Sequence, residues 1–332
     1  MILLITGFLF CAALIFFSGT RLARYGHQIA DITGMGKAWF GLIMMASVTS
    51  LPELFVGISS AGIVGSADLA VGDILGSCVF NLAILSLLDA FSKKTNIFSV
   101  AAQSHVLAGS LGIILLSFVG LGLFLPQKFV ALDWISLISL LFIVVYLLSV
   151  KLVYQYDQNH LPLVPEKTVD ETQNKNTLKK VILMYLLNAL VVIGAALVLP
   201  YFAQKISEQT GLGQSFIGTL LLAASTSLPE VAVSIAAIRM GSVDMAVGNL
   251  MGSNLFNIFI LALDDFFYTK GNLLSDASES HMVSVFSTII MTAIAITGLT
   301  YRAKEKRFLL AWDTLLILCM YIFNMVLLYK LQ

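Results

Sequence analysis

Two glutamates lie near the centre of apolar segments, and each ends the same five-residue string. The string TSLPE occupies Thr49–Glu53 in the first half of the chain and Thr226–Glu230 in the second. A carboxylate within a membrane span is costly and is normally retained facing a cavity or a partner, which indicates a functional site. Since no basic residue lies in the middle of these segments, we expect Glu53 and Glu230 to bind cations.

The proline in each string predicts a kinked or broken helix beside the glutamate. Pro52 and Pro229 lack an amide proton, so the carbonyl groups near Val48 and Ser225 lose their helical partners. The hydroxyl groups beside the two breaks belong to Thr49, Ser50, Thr226 and Ser227. Hard cations take carboxylate, carbonyl and hydroxyl ligands, whereas zinc and copper favour the histidine or cysteine that these strings lack. The strings therefore predict a calcium or sodium site.

A polar stripe follows each string on the next apolar segment. Its residues recur every four positions, as Asp73, Ser77 and Asn81 and then as Asn249, Ser253 and Asn257. This spacing places each set on one helical face. Neighbouring glycine pairs, Gly72 with Gly76 and Gly248 with Gly252, allow close helix approach, so we expect these faces to pack on the broken helices. Asp73 lies nearer one membrane surface than Glu53 and belongs either to the site or to the pathway leading to it.

The composition predicts that these segments cross a membrane. Of the 332 residues, 58% are hydrophobic and 11% are charged, and the mean hydropathy is +0.93; soluble domains carry roughly 25% charged residues. Stretches long enough to cross a bilayer as helices lie at residues 2–18, 38–61, 68–91, 101–124, 132–154, 178–203, 214–238, 244–267, 281–300 and 308–330. We predict an all-α integral membrane protein with ten transmembrane helices.

The ten spans form two copies of a five-helix unit. Gly41–Ala61 matches Gly218–Ile238 at nine of 21 positions, and Gly65–Phe91 matches Gly241–Phe267 at fifteen of 27. Because the matches include polar positions, they indicate duplication. An odd number of spans in each copy makes the second copy enter the membrane from the opposite side. In secondary transporters, such inverted repeats place the substrate site near the midplane at their interface and alternate its access.

The distribution of basic residues predicts the orientation. One set of alternate loops holds fifteen of the lysines and arginines, and the opposite set holds Lys128, Lys205, Lys270 and Lys330. The positive-inside rule places the richer set in the cytoplasm and both termini outside. The polar stretch 155–177 is then a cytoplasmic linker between the first repeat, residues 1–154, and the second, residues 178–332.

Other classes of function are disfavoured. Nineteen basic residues balance nineteen acidic ones, so no global field would attract a nucleic acid. Cys11, Cys78 and Cys319 are scattered through apolar segments and offer neither a disulfide framework nor a zinc site. No motif for nucleophilic catalysis or phosphate binding lies in a suitable context. We predict a transporter that is not an enzyme, uses no cofactor and has ions and the lipid bilayer as partners.

The sequence resembles the calcium/cation antiporter superfamily, and most closely its prokaryotic sodium/calcium exchangers. The resemblance rests on the paired TSLPE strings and on the strings GDxxGSxxFN in one half and GNxxGSNxFN in the other. It implies that Glu53 and Glu230 are the principal cation ligands and that the protein resides in a bacterial or archaeal cell membrane. It also implies further oxygen ligands, namely Thr49, Ser50, Thr226, Ser227, Ser77 and Ser253, with Asn81 at the centre.

Three positions depart from the family pattern. Relatives that resemble the archaeal exchanger often carry aspartate in place of Asn257 and asparagine in place of Asp73. Cys78 stands where the second copy has Asn254. These differences bear on the stoichiometry and selectivity of transport rather than on its class.

The charge of the two glutamates predicts the transported ions. Together they supply about −2, which one Ca²⁺ or two Na⁺ can neutralise. We therefore predict exchange of Ca²⁺ for Na⁺, with Asn81 and Asn257 as uncharged ligands for additional Na⁺. Exchange of Ca²⁺ for protons released by the same glutamates is an alternative, as is K⁺-dependent exchange. A cation channel is more distant, because channels are usually symmetric oligomers with one pore-lining element per subunit.

Overall fold

The fold follows the order of the predicted spans. The computed structural model describes residues 1–33, 46–91, 96–125, 131–132, 135–160, 171–303 and 310–331. In the first half these form α1 (Ile2–Thr33), α2 (Ala46–Thr49), α3 (Leu51–Ile58), α4 (Ala67–Phe91), α5 (Ile97–Val100), α6 (Ser104–Phe124), the antiparallel strands β1 (Ala131–Leu132) and β2 (Ile135–Ser136), and α7 (Leu137–His160). A π-helical turn, Ser59–Val64, extends α3.

The second half repeats this order. Its helices are α8 (Glu171–Thr210), α9 (Gln214–Ile217), α10 (Ala223–Thr226), α11 (Leu228–Arg239), α12 (Val243–Phe267), α13 (Leu273–Asp276), α14 (His281–Tyr301) and α15 (Trp312–Leu331). A π-helical turn, Gly218–Leu222, joins α9 to α10. Both repeats therefore place a π-helical turn in the span that carries TSLPE.

The described residues contain most of the predicted spans as long apolar helices. Eight helices are long and apolar enough to cross a membrane, and a ninth span is a bent pair in which Gln214–Thr226 meets Leu228–Arg239 at 46°. The remaining span, 38–61, is described from residue 46 onward as α2, α3 and the π-helical turn. The predicted all-α membrane fold is thus confirmed, and the predicted break falls at the serine of each string.

Corresponding helices of the two repeats pack in opposite directions. The Asn81 amide of α4 hydrogen-bonds Asn254 of α12 at 3.0 Å, and Cys78 of α4 lies 3.8 Å from the Asn257 amide. Because the earlier residue of α4 meets the later residue of α12, the two helices are antiparallel. The pairs α1–α8 and α6–α14 are also antiparallel. This arrangement is that of an inverted repeat.

Glycine allows α4 to contact the broken helix of the second repeat. The Cα atom of Gly218 would lie 3.1 Å from a methyl group placed at Gly72. A methyl group at Gly76 would lie 2.6 Å from both the Cα and the carbonyl oxygen of Thr219. The predicted close approach is therefore confirmed for α4. It leaves no room between the backbones, so α4 lies directly against the π-helical turn that precedes the break.

Several helix ends differ from the predicted span ends. The first helix continues beyond residue 18 to Thr33. The fifth span begins with the β1–β2 ribbon, because the carboxylate of Asp265 accepts a hydrogen bond from the Ser136 amide at 2.7 Å and holds that strand. Helices α7 and α8 extend into the stretch 155–177, of which residues 161–170 lie outside the described residues.

We expect Gly76→Ala to destabilise the protein and Gly194→Ala not to. The added methyl group at Gly76 meets backbone atoms that cannot yield, and overpacking of this kind costs about 1–3 kcal/mol. A methyl group at Gly194, in α8, meets nothing within 4 Å. The thermal midpoints of both variants in detergent would measure the difference, and equal midpoints would contradict the close contact.

Candidate cation-binding site

Glu53 and Glu230 are buried at the meeting point of the two repeats. Each lies in the first turn of the helix that follows a break, α3 or α11. The breaks fall at Ser50 and Ser227, whose backbone angles leave the helical region (ψ 14° and 8°). Neither glutamate is exposed. The breaks therefore bring two carboxylates, one from each repeat, into the interior.

The hydroxyl of each break binds the glutamate of the other repeat. Ser50 Oγ donates to Glu230 Oε1 at 3.1 Å, and Ser227 Oγ donates to Glu53 Oε1 at 2.9 Å. The second oxygen of each glutamate, Oε2, has no hydrogen-bond partner among the described residues. Each carboxylate is thus oriented by one hydrogen bond from across the interface and keeps one oxygen available to a cation.

The two threonines of the strings make a second pair of contacts between the repeats. Thr49 Oγ1 donates to Asn249 Oδ1 at 3.3 Å, and Thr226 Oγ1 lies 3.1 Å from Asp73 Oδ1. Ser77 Oγ lies 3.4 Å from Thr226 Oγ1. Each polar stripe therefore meets the break of the opposite repeat, and Asp73 is joined to the site through the Thr226 hydroxyl.

Amide groups line the place where α4 crosses α12. Asn81 Nδ2 donates to Asn254 Oδ1, and Asn254 Nδ2 donates to the Cys78 carbonyl oxygen at 3.1 Å. The Asn257 amide nitrogen is directed to Cys78 Sγ. The carbonyl oxygens of Asn81 and Asn257 accept no hydrogen bond from the described residues. Buried amide oxygens without a donor are suited to a hard cation.

The eleven residues predicted for the site are all buried. They are Thr49, Ser50, Glu53, Asp73, Ser77, Asn81, Thr226, Ser227, Glu230, Ser253 and Asn257. The Ser253 hydroxyl interacts with Glu230 but makes no hydrogen bond of ordinary geometry with the described residues. Whether each residue binds an ion stays a prediction.

Asn249 and Asn254 belong to the same network and are absent from the predicted ligand set. Asn249 holds the Thr49 hydroxyl, and Asn254 orients Asn81. The polar stripe on α12 already contained Asn249. Asn254 could have been found from its place opposite Cys78 in the aligned repeats, because an asparagine facing the helix crossing is a common bridge between membrane helices.

The interior holds acidic side chains without a fixed positive partner. None of the lysines and arginines in the described ranges is buried, whereas Glu53, Glu230 and Asp73 are fully buried. The described residues also contain no group of three or more histidine, cysteine, aspartate or glutamate side chains placed to hold a metal. A cation here would need hydroxyl and amide oxygens in addition to the carboxylates, which is the chemistry of Na⁺ and Ca²⁺.

Comparison with known proteins identifies relatives with the same architecture. The sequence matches the family described as "Sodium/calcium exchanger protein" over residues 3–155 and 180–330. It is 33% identical over 269 residues to the inner membrane protein YrbG of Escherichia coli (strain K12), covering 78% of this chain and 77% of YrbG. It is 34% identical over 158 residues to the sodium/calcium exchanger MaX1 of Methanosarcina acetivorans, covering 46% of this chain and 41% of MaX1.

Solved structures of the sodium-calcium exchanger NCX_Mj share the fold. Two of them have TM-scores of 0.63 and 0.65 at 22% and 20% identity, and each comparison covers 98% of this chain and 99% of the other. Inverted repeats with buried acids at their interface define the protein as an integral membrane transporter rather than an enzyme. The match over both halves then assigns the chain to the sodium/calcium exchanger family.

We expect the double variant Glu53→Gln, Glu230→Gln to lose stabilisation by Ca²⁺. A ligand that binds only the folded state at 100 times its Kd stabilises by about 2.7 kcal/mol, so Ca²⁺ should raise the thermal midpoint of the wild type. In cation-free buffer the variant should unfold at a higher temperature than the wild type, because it buries amides instead of unpaired carboxylates.

The control for this experiment is Glu279→Gln, which removes an exposed carboxylate. It should keep the full Ca²⁺-dependent rise. An equal rise with Ca²⁺ in the double variant would mean that the glutamates do not hold the ion.

Proposed function

We propose that the protein exchanges Ca²⁺ for Na⁺ across the membrane by alternating access. The observation that carries the proposal is the reciprocal pair of hydrogen bonds, from Ser50 to Glu230 and from Ser227 to Glu53. Through these bonds, each carboxylate is positioned by the repeat to which it does not belong. A movement of one repeat against the other therefore changes the surroundings of both carboxylates at once.

Charge balance supports competition between the two ions. Glu53 and Glu230 together offer about −2, which matches one Ca²⁺ or two Na⁺ but not both. Asn81 and Asn257 add oxygens without adding charge, so in the proposal they hold further Na⁺. Asp73, joined to the site by the Thr226 hydroxyl, is included as a ligand that keeps its proton, so the charge of the site remains that of the two glutamates.

The same carboxylates oppose leakage. Movement of an empty site would carry unpaired charges through a medium of low dielectric, where each costs several kcal/mol. An ion-loaded site is close to neutral and moves more easily. The transport of the two ions is then coupled, because the site moves back across the membrane only after the second ion has replaced the first.

The inverted repeats supply the movement in this proposal. Residues 1–154 and 178–332 would form the two repeats, and 155–177 would be the cytoplasmic linker, with both termini outside. The relative MaX1 is named a sodium/calcium exchanger, which supports Na⁺ as the driving ion. Protons and K⁺ are the alternatives, and a cation channel is the distant one.

Calcium uptake into proteoliposomes tests the driving ion. We expect an outward Na⁺ gradient to drive uptake, and outward K⁺ and pH gradients alone to drive none. Uptake with the pH gradient alone would make the glutamates proton carriers instead. A calcium flux that depends on no gradient would indicate a channel.

We expect Ser50→Ala to weaken transport by reducing the affinity for Ca²⁺. The variant leaves Glu230 without the hydrogen bond that orients it, and a hydrogen bond to a charged group contributes about 1.5–3 kcal/mol. The Ca²⁺ concentration for half-maximal uptake should rise about tenfold or more. Ser117→Ala is the control, because among the described residues the Ser117 hydroxyl bonds only the Ile113 carbonyl of its own helix, at 2.7 Å. Equal half-saturation of both variants would contradict the role of Ser50.

A further inference from the structure

A further carboxylate, that of Asp264, lies outside the site described above. Asp264 lies on the same face of α12 as Asn249, Ser253 and Asn257, and it follows Asn257 by seven residues. Its side chain is fully buried, and neither carboxylate oxygen accepts a hydrogen bond from the described residues. It lies less than one turn from the end of the helix at Phe267.

The adjacent acid, Asp265, shows which hydrogen bonds an aspartate with a structural role makes at this end of α12. Asp265 accepts hydrogen bonds from the amides of Leu273 and Ser136 at 2.9 and 2.7 Å. Its counterpart in the first repeat, Asp89, accepts from the amides of Ile97 and Ala311 at 3.1 and 2.9 Å. Both therefore hold connecting segments in place. Asp264 makes no such bond within the described ranges.

Asp264 also has no acidic counterpart in the repeat. The aligned residue of the first copy is Leu88, which is buried in the core. The first repeat therefore places an apolar side chain at the equivalent position. The acid at this position is a property of one half of the molecule.

The carboxylate faces the broken helix that carries Glu53. A methyl group at Gly57 would overlap both oxygens of Asp264, so the carboxylate lies against the Gly57 backbone. Gly57 follows Glu53 by four residues, a rise of about 6 Å along the helix. Asp264 thus lies beside the central site, displaced toward one end of the molecule.

A second oxygen without a partner lies on the same stretch of chain. Ser60 is fully buried, and its hydroxyl makes no hydrogen bond with the described residues. It stands between Gly57, which meets Asp264, and Gly62, where an added methyl group would lie 3.5 Å from the Phe267 carbonyl oxygen. This stretch therefore runs along the end of α12.

We propose that Asp264 is an additional cation site, which binds one Na⁺ beside the central site with the Ser60 hydroxyl as a further ligand. A buried carboxylate that keeps its charge without a hydrogen-bond partner requires a counter-ion, and no lysine or arginine in the described ranges is buried. One carboxylate balances a monovalent ion, whereas Ca²⁺ takes six to eight oxygens, commonly with several carboxylates. The inference rests on the proposed exchange with Na⁺.

Equilibrium binding of ²²Na⁺ and ⁴⁵Ca²⁺ to the purified full-length protein tests the site. Asp264→Asn and Asp264→Leu should each lower the number of Na⁺ ions bound per protein by one, or weaken Na⁺ binding about tenfold. Leucine is the residue that the first repeat carries at the equivalent position, Leu88. The leucine variant is therefore included in case the asparagine variant folds poorly. Half-saturation by Ca²⁺ in Na⁺-free buffer should change by less than about twofold.

Two more variants separate this site from the central one. Gly57→Ala keeps the carboxylate but occupies its space, and it should lose the same Na⁺ ion. The double variant Glu53→Gln, Glu230→Gln should lose Ca²⁺ binding and keep one Na⁺, which Asp264→Asn then removes. Glu279→Gln, with its exposed carboxylate, is the control and should bind both ions as the wild type does.

Unchanged Na⁺ binding in both Asp264 variants would overturn the inference and leave the proposed exchange intact, since Asp264 would then hold a permanent proton. An equal loss of Ca²⁺ affinity would place Asp264 in the central site and also overturn it. A wild-type protein that binds Ca²⁺ but no Na⁺ would overturn both the additional site and Na⁺ as the driving ion.

Discussion

The structure depends on carboxyl groups that are buried without a fixed positive partner. Glu53 and Glu230 are fully enclosed, and no lysine or arginine in the described ranges is buried with them. Such groups are stable in the interior only when a bound cation or a proton neutralises them. The polar face of α4, the glycine contacts that bring α4 against the broken helix, and the hydroxyls beside each proline all hold oxygens around these carboxyl groups.

The close contact at the helix crossing is what makes the site a property of both repeats. Because Gly76 has no side chain, α4 reaches the backbone at Thr219, and the first repeat's stripe meets the second repeat's hydroxyls. The hydrogen bonds from Ser50 to Glu230 and from Ser227 to Glu53 follow from the same interdigitation. One repeat alone would present its glutamate without the group that orients it.

The sequence was informative where the duplication preserved polar residues. The TSLPE strings and the stripes recur at fixed spacing, and periodicity alone places Ser77 and Asn81 on one face. The hydrogen bonds between the two repeats could not be predicted from the sequence, because the spacing of Ser50 does not indicate that it bonds Glu230 rather than its neighbour Glu53. Asp264 was passed over for a related reason: its counterpart is Leu88, so a comparison of the repeats draws attention to Asp265 instead. The β1–β2 ribbon was missed because its apolar residues continue the pattern of the following helix.

The hydroxyls of the two strings meet unlike partners. Thr226 is joined to the carboxylate of Asp73, whereas Thr49 is joined to the amide of Asn249. If the two copies were identical, exchanging their conformations would convert one end state of the carrier into the other, and the two would have equal free energy. A carboxyl group present in one copy and absent from the other removes that equality. In the proposed exchange by alternating access, the unloaded protein therefore prefers one side of the membrane, even when no voltage or ion gradient is applied.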